Sequence, residues 1–163
     1  MPRNQQGFTL IEITIVLVLM AIISAYVIGR SIGTEQIDLA AQTDKIRNQI
    51  RYAQATAMKQ SDAIWGVTSN TNQYWMFRRV TGMPVIDTPV ILPGERNAQI
   101  TLADLGIDSL TAFTVFFDRL GKPYTAYDAE NNNSPLNNPL TIIVSAGAQS
   151  RSLMLMPETG LVQ

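Results

Sequence analysis

The chain has 163 residues, of which 46% are apolar and only 15% charged, so part of it is expected to avoid water. Lys and Arg number 12 against 13 Asp and Glu, which argues against a chain-wide basic surface for nucleic acid. Cys and His are both absent. Disulfide scaffolds, thiol catalysis and Cys-based metal sites are therefore excluded, and the commonest general base and zinc ligand are missing. We expect no enzymatic activity, no metal and no cofactor.

The first predicted element is an apolar helix over residues 8–29. It reads FTLIEITIVLVLMAIISAYVIG and carries a single charge, Glu12. At 1.5 Å per residue it would span ~33 Å, the thickness of a hydrocarbon core. Arg3 in the short polar leader favours a cytoplasmic amino terminus and places the rest of the chain across the membrane. A secretory signal peptide fits less well, because Glu12 interrupts the apolar run and no A-x-A-like cleavage site closes it.

The junction between leader and helix carries a short motif, Gly7-Phe8-Thr9-Leu10-Ile11-Glu12. It resembles the processing motif of type IV prepilins and type II secretion pseudopilins. The resemblance implies that a prepilin peptidase in the inner membrane removes the leader, residues 1–7, by cutting between Gly7 and Phe8. It also implies N-methylation of Phe8, and assembly with other pilins or pseudopilins through helix packing. The subunit would be a single-pass inner-membrane protein with a periplasmic head before it enters a filament.

Glu12 matches the acidic position of that family, and its role can also be argued from physical chemistry. A carboxylate in hydrocarbon is costly unless it is paired or neutralised. Cleavage after Gly7 creates a positive charge at membrane depth, the α-amino group of Phe8 on the same or a neighbouring chain. We therefore expect Glu12 to act in filament assembly. The alternative is a side chain that snorkels to the interface or stays protonated.

The helical pattern continues beyond the apolar segment to about Gln60, since no Pro lies between Pro2 and Pro84. We predict a membrane-spanning half over 8–29 and an amphipathic half over 30–60. An apolar stripe at helical spacing marks the amphipathic half. The stripe consists of Leu39, Thr43, Ile46, Ile50, Ala53 and Ala57.

From residue 61 onward the pattern changes to the period of β-strands, so residues 61–163 are predicted to form a β-rich head. The fold class is then α+β, with a long amino-terminal helix packed on an antiparallel sheet, as in pilins. Gly- and Pro-containing turns such as Leu120–Pro123 separate the strands. The predicted strands are Ala63–Thr68, Gln73–Val80, Val85–Leu92, Gln99–Leu102, Ala112–Asp118, Thr141–Ser145, Ser152–Met156 and Leu161–Gln163.

Five stretches outside the leader resemble the H-type minor pseudopilins and related minor pilins. They are Lys45–Met58, the strand Ala63–Thr68, the strand that contains Tyr74-Trp75, the turn Phe117–Pro123, and Thr159–Val162. The resemblance implies a minor pseudopilin of a type II secretion system, in a periplasmic pseudopilus that drives protein export. A minor pilin of a type IV or MSHA-like pilus, with a role in adhesion, pilus assembly or DNA uptake, is the alternative. A third possibility is an anchored binding module that never polymerises and is never cut at Gly7.

Two polar segments of the head are candidate binding sites. The loop Asp128–Asn138 is rich in oxygen ligands suited to calcium, but its spacing matches no EF-hand, and a solvated loop is favoured. Arg78 and Arg79, beside Tyr74 and Trp75, have the composition of a nucleic-acid contact. The carboxyl terminus lacks the Arg residues of DNA-binding minor pilins, so a solvent-facing edge strand is favoured and no nucleic-acid partner is expected.

Overall fold

The computed structural model describes residues 9–60, 62–80, 86–128 and 133–163, with the backbone alone for residues 27–37. These ranges contain one long helix, a short 3-10 helix at Ala103–Leu105 and ten strands. The helix, α1, runs from Leu10 to Lys59. The strands are β1 Ile64–Ser69, β2 Gln73–Val80, β3 Ile86–Val90, β4 Ile100–Thr101, β5 Ser109–Leu110, β6 Phe113–Phe117, β7 Pro123–Ala126, β8 Ser134–Pro135, β9 Leu140–Ala146 and β10 Gln149–Leu155.

The predicted α+β class is confirmed, with a helix packed on an antiparallel β head. The helix predicted from Phe8 to Gln60 is confirmed over Leu10–Lys59. Contacts divide the chain into two units, Met1–Ile37 and Asp38–Gln163. The second unit holds the carboxyl-terminal part of α1 together with all ten strands.

Seven strands form the larger sheet, in the order β3-β2-β1-β6-β7-β8, with β4 also paired to β2. Strands β9 and β10 form a hairpin that makes a smaller sheet with β5, in the order β10-β9-β5. Every described pair of strands is antiparallel. Antiparallel hairpins need only short connections, which accounts for the many turns in this half of the sequence.

The core lies between the helix and the two sheets. Every member of the predicted stripe, from Leu39 to Ala57, is buried. Its one polar member, Thr43, donates its hydroxyl to the Leu39 carbonyl at 2.7 Å, so no polar group is left unsatisfied there. The stripe joins a single hydrophobic cluster with side chains from both sheets. Those side chains include Trp65, Val67, Tyr74, Met76, Val115, Phe117, Ile142, Val144, Leu153 and Leu155.

A second, smaller cluster covers the opposite face of the larger sheet. Phe77 and Phe116 meet edge to face with ring centroids 5.2 Å apart, and Ile64 packs beside them. The Arg79 guanidinium lies 4.5 Å from the centre of the Phe116 ring, a cation–π arrangement. Around Phe77 and Phe116, side chains of the unit Asp38–Gln163 therefore cover both faces of the larger sheet.

Several short elements of the head differ from the sequence prediction. Pro123, predicted as the end of a turn, begins β7, a position that Pro tolerates because the first residue of a strand needs no ladder donor. Strands β5 and β8 have two residues each, too few to show a period. The predicted strand Leu161–Gln163 is present only as a single bridge between Leu155 and Val162. Strand β10 begins at Gln149, three residues before the predicted Ser152.

The buried stripe predicts that Ile50→Asp unfolds a fragment from Gly33 to Gln163. Ile50 is fully buried, and an unpaired carboxylate there should cost about 4 kcal/mol of the free energy of unfolding or more. Circular dichroism during thermal melting measures the effect. Asn48→Asp on the exposed face of α1 is the matched control and should change stability by less than about 0.5 kcal/mol. An Ile50→Asp fragment that melts at the parent temperature would contradict this packing.

Candidate functional site

The amino-terminal part of α1 exposes apolar side chains on every face. All of its large apolar residues from Leu10 to Tyr26 are more than half exposed within the chain. An exposed apolar surface of this extent on a single helix requires lipid or other helices to cover it. The residues are Leu10, Ile11, Ile13, Ile15, Val16, Leu17, Val18, Leu19, Met20, Ile22, Ile23 and Tyr26.

Within the residues described with side chains, no helix meets the length and apolarity required of a membrane span. The predicted span over residues 8–29 falls partly outside them, because Phe8 and the side chains of residues 27–29 are not described.

The first turn of α1 is closed by a capping box formed by Thr9 and Glu12. The Thr9 N–H and the Thr9 hydroxyl both donate to Glu12 Oε2, at 2.9 and 2.8 Å. In return the Thr9 Oγ1 accepts from the Glu12 N–H at 3.4 Å. A carboxylate in the first turn also complements the positive end of the helix dipole. Glu12 therefore has an intrachain role, as a helix cap, that the sequence analysis did not assign.

The signal for this cap was present in the sequence. Thr9 and Glu12 have the Ser/Thr-x-x-Glu spacing of a capping box, directly before an apolar run. The predicted cleavage and methylation residues, Gly7 and Phe8, lie outside the described residues. Cleavage at that bond would place the new α-amino group one residue before the cap.

A second polar site holds the carboxyl-terminal part of α1 on the head. The buried Tyr74 hydroxyl donates to Gln49 Oε1 at 2.5 Å, and Gln49 Nε2 donates to Glu95 Oε1 at 2.8 Å. Lys45 Nζ completes the chain with an ion pair to the same Glu95 oxygen at 2.7 Å. Because each buried polar atom has a specific partner, this network fixes the register of the helix on the sheet.

The environment of Tyr74 disfavours its phenolate form. Burial is the largest cause, and the nearby Glu95 carboxylate adds to it, while the hydrogen bond to Gln49 acts in the opposite direction. The net effect raises the pKa of the Tyr74 phenol far above its ordinary value.

A third contact joins α1 to two separate loops through Gln54. Its Nε2 donates to the Gly121 carbonyl at 2.9 Å and to the Thr159 carbonyl at 2.8 Å. One turn earlier on the helix, Arg51 donates to the Val162 carbonyl at 2.8 Å. The two loops are themselves joined by an ion pair between Lys122 and Glu158 at 2.9 Å.

This junction explains one glycine of the carboxyl-terminal turn. Gly160 has φ +62°, a left-handed conformation that side chains disfavour. A Cβ there would lie 2.5 Å from Gln54 Nε2 and 2.6 Å from the Gly121 carbonyl oxygen. Both the backbone conformation and the close approach of Gln54 therefore require glycine.

The expectation that Arg78 and Arg79 lie on a solvent-facing edge strand is wrong. They are in β2, which pairs with β1 on one side and β3 on the other. Each guanidinium pairs with a carboxylate at 2.6 Å, Arg78 with Asp62 and Arg79 with Asp87. Tyr74, a candidate for stacking against nucleic-acid bases, is buried in the core. The sequence could not reveal this, because the Asp partners come from elements that only the fold brings beside β2.

The loop Asp128–Asn138 is described only in part, since residues 129–132 fall outside the described ranges. The backbone N–H of Asp128 donates to Asn133 Oδ1 at 3.3 Å. The loop also contains β8 and the buried Leu136, so its second half belongs to the packed head. Within the described part of the chain, no group of three potential metal ligands comes together.

The Tyr74 environment predicts a loss of stability at alkaline pH. Because the pKa of Tyr74 is raised in the folded state, the protonated phenol contributes its full stabilisation below the unfolded-state pKa of about 10. That contribution is lost as the pH rises above this value. Tyr74→Phe should be about 1–2 kcal/mol less stable than the parent near neutral pH. This difference should shrink above pH ~10, by up to about 1.4 kcal/mol per pH unit.

Urea unfolding of the fragment Gly33–Gln163 across that pH range measures the effect. Tyr52→Phe, at an exposed position on α1, is the matched control and should change stability by less than about 0.5 kcal/mol. A Tyr74→Phe deficit that stays constant with pH would contradict the assignment.

Comparison with known proteins supports the amino-terminal motif. Residues 2–28 match the family model for the prokaryotic N-terminal methylation motif. No curated protein and no solved structure is significantly similar to the chain. The matched motif indicates a membrane-anchored precursor that is processed by a prepilin peptidase and assembles with other pilins. Together with the helix packed on a β head, it supports a relation to the type IV pilins and pseudopilins.

Proposed function

We propose that this chain is a minor pseudopilin of a type II secretion system, of the H type. The precursor is anchored in the inner membrane by residues 8–29, with its head, residues 61–163, in the periplasm. A prepilin peptidase removes residues 1–7 and methylates Phe8. The exposed apolar helix from Leu10 to Tyr26 then exchanges lipid for the helices of other subunits. The role of the subunit is structural, and its helix binds the helices of other subunits through packing.

The observation that carries the H-type assignment is the junction at Gln54. Three of the stretches that resemble H-type subunits, 45–58, 117–123 and 159–162, are far apart in the sequence. Gln54 in the first donates to Gly121 in the second and to Thr159 in the third. These three stretches therefore belong to one packed structural unit that holds the helix on the head, which supports the proposal.

The methylation motif alone fits a minor pilin of a type IV or MSHA-like pilus equally well. Deleting the gene in its native host separates the two. For a pseudopilin, exported proteins should accumulate in the periplasm while surface pili are unchanged. Loss of pili with normal export would support the minor pilin and contradict the pseudopilin.

The processing step predicts that Gly7→Val blocks maturation. A peptidase pocket that accepts glycine at this position should exclude a branched side chain, and the precursor should accumulate in the membrane fraction. Intact-mass measurement of membrane-extracted protein gives the result. The parent should lose residues 1–7 and gain one methyl group. A parent protein that keeps its leader, or that is cut near Ser31, would overturn the processing model and leave the anchored binding module.

The capping box allows the charge of Glu12 to be tested separately from its capping role. Glu12→Gln removes the charge, but the Gln side chain still accepts hydrogen bonds from Thr9, so the cap is retained. If the charge pairs with the amino group of Phe8 during assembly, this variant should be cleaved and inserted normally. Its incorporation into filaments should fall about tenfold or more, as for the loss of a desolvated ion pair.

Thr9→Val is the matched control, because it removes the capping hydroxyl and retains the carboxylate. Its incorporation into filaments should stay near the parent level once cleavage is confirmed. Co-purification with partner subunits from sheared filaments measures both variants. Equal losses in both would mean that assembly needs the Thr9 hydroxyl as much as the charge of Glu12, and no loss in Glu12→Gln would mean that its charge has no assembly role.

A further inference from the structure

Met58 lies at the junction that joins α1 to two loops of the head. It follows Gln54 by one helical turn, so the two side chains lie on the same face of α1. A Cβ on Gly121 would lie 3.0 Å from Met58 Sδ and 3.0 Å from Gln54 Nε2. The thioether and the amide therefore both lie against the same residue of the loop.

Both amide hydrogens of Gln54 are used in this arrangement. Its Nε2 donates them to the Gly121 carbonyl at 2.9 Å and to the Thr159 carbonyl at 2.8 Å. The sulfur of Met58 is only a weak acceptor, so it does not compete with either carbonyl. In its reduced form, the thioether therefore covers the junction as an apolar group and leaves these hydrogen bonds intact.

The Met58 side chain is also accessible to solvent. Among the described methionines of the unit Asp38–Gln163, Met58 has the largest exposed fraction, 55%, and Met154 follows at 41%. Met76, in contrast, is fully buried in the core. An oxidant dissolved in water can therefore reach the sulfur at the junction without any opening of the head.

We propose that Met58 is a site of reversible oxidation by peroxides, and that its sulfoxide loosens the junction at Gln54. A sulfur lone pair attacks one oxygen of hydrogen peroxide, the O–O bond breaks, and a sulfur–oxygen bond forms. The thioether loses two electrons, and the peroxide is reduced to water. A dithiol reductase reverses the step, releasing the oxygen as water and forming a disulfide of its own. The proposal does not depend on the filament in which the subunit acts.

The sulfoxide oxygen changes the hydrogen bonding of the junction. Oxidation converts an apolar side chain into a polar one with a strong acceptor. Gln54, one turn away on the same face, carries the amide hydrogens that such an acceptor binds. The sulfoxide therefore competes with the Gly121 and Thr159 carbonyls for Gln54 Nε2.

The added oxygen also has no room between the sulfur and the loop. Because a Cβ on Gly121 would already lie only 3.0 Å from Met58 Sδ, another heavy atom does not fit there. The oxidised side chain must turn toward solvent or displace the loop. Either movement removes the apolar cover from the hydrogen bonds of Gln54 and lets water compete for them.

Other contacts confine the effect to this end of the helix. Asp118 Oδ1 accepts from the Leu120 and Lys122 N–H groups, each at 2.9 Å, and so holds the shape of the turn without Gln54. Arg51 still donates to the Val162 carbonyl, and the buried stripe of α1 is not touched. Oxidation should therefore loosen the two loops on the helix without unfolding the head.

Hydrogen exchange of the full chain in detergent micelles, followed by nuclear magnetic resonance, tests the proposal. The Gly121 and Gly160 amides report on the junction, because each donates to a backbone carbonyl of its own turn at 3.0 Å. After treatment with hydrogen peroxide both should exchange about fivefold faster, the effect of losing one hydrogen bond. A methionine sulfoxide reductase should restore the slow rates. The Phe113 amide, bonded to the Ser69 hydroxyl, should keep its rate throughout.

Three variants make the result specific. Met58→Leu retains an apolar side chain of similar volume but cannot be oxidised, so peroxide should leave both junction amides unchanged. Met154→Leu removes the next most exposed sulfur and should respond to peroxide like the parent. Met58→Gln carries a polar acceptor without any oxidation, and its junction amides should exchange faster before peroxide is added. Peptide mass measurement identifies the sulfur that has gained an oxygen.

A sulfoxide at Met58 with unchanged exchange at Gly121 and Gly160 would overturn the proposal, because the junction would not respond to oxidation. Equal acceleration in Met58→Leu would overturn it as well, since another methionine would be responsible. A Met58 sulfur that stays reduced while Met154 is oxidised would contradict the accessible site.

Discussion

The head depends on the burial of one helical stripe, from Leu39 to Ala57, against two sheets. Three of the six stripe residues contribute little apolar area, because two are alanines and one is a threonine. Small side chains allow the helix to approach the sheets closely, and the large residues that fill the space come from the strands, such as Tyr74 and Phe117. Deletion of any one of these would leave a cavity that a rigid helix cannot collapse to fill.

Apolar packing is non-directional, so it does not by itself fix where the helix lies along the sheet. Three polar contacts along the helix do so, at Gln49, Arg51 and Gln54. Two of them end on backbone carbonyls: Arg51 donates to Val162, and Gln54 donates to Gly121 and Thr159. Their spacing of two and three residues spreads the contacts over more than one turn.

The sequence was most informative where a pattern is long. The helix and the strand Gln73–Val80 were predicted with nearly or fully correct bounds, because both carry a sustained period. Two-residue strands such as β5 have no period to detect. The start of β10 was missed because Gln149–Ser152 is polar throughout, as befits an exposed edge rather than a half-buried strand. The partners of Arg78 and Arg79 were also beyond prediction, since Asp62 and Asp87 come from different parts of the fold.

Glu12 shows why a local motif and a long-range role need not exclude each other. Both hydrogen bonds from Thr9 end on Glu12 Oε2, so local contacts hold this carboxylate over the first turn of α1. If this segment lies in lipid, as we propose, that local support would lower the cost of carrying a carboxylate there. In the proposed assembly, the amino group of Phe8 would add to an existing network rather than neutralise a bare charge. A carboxylate that the capping box already holds in place would then lose less entropy on pairing.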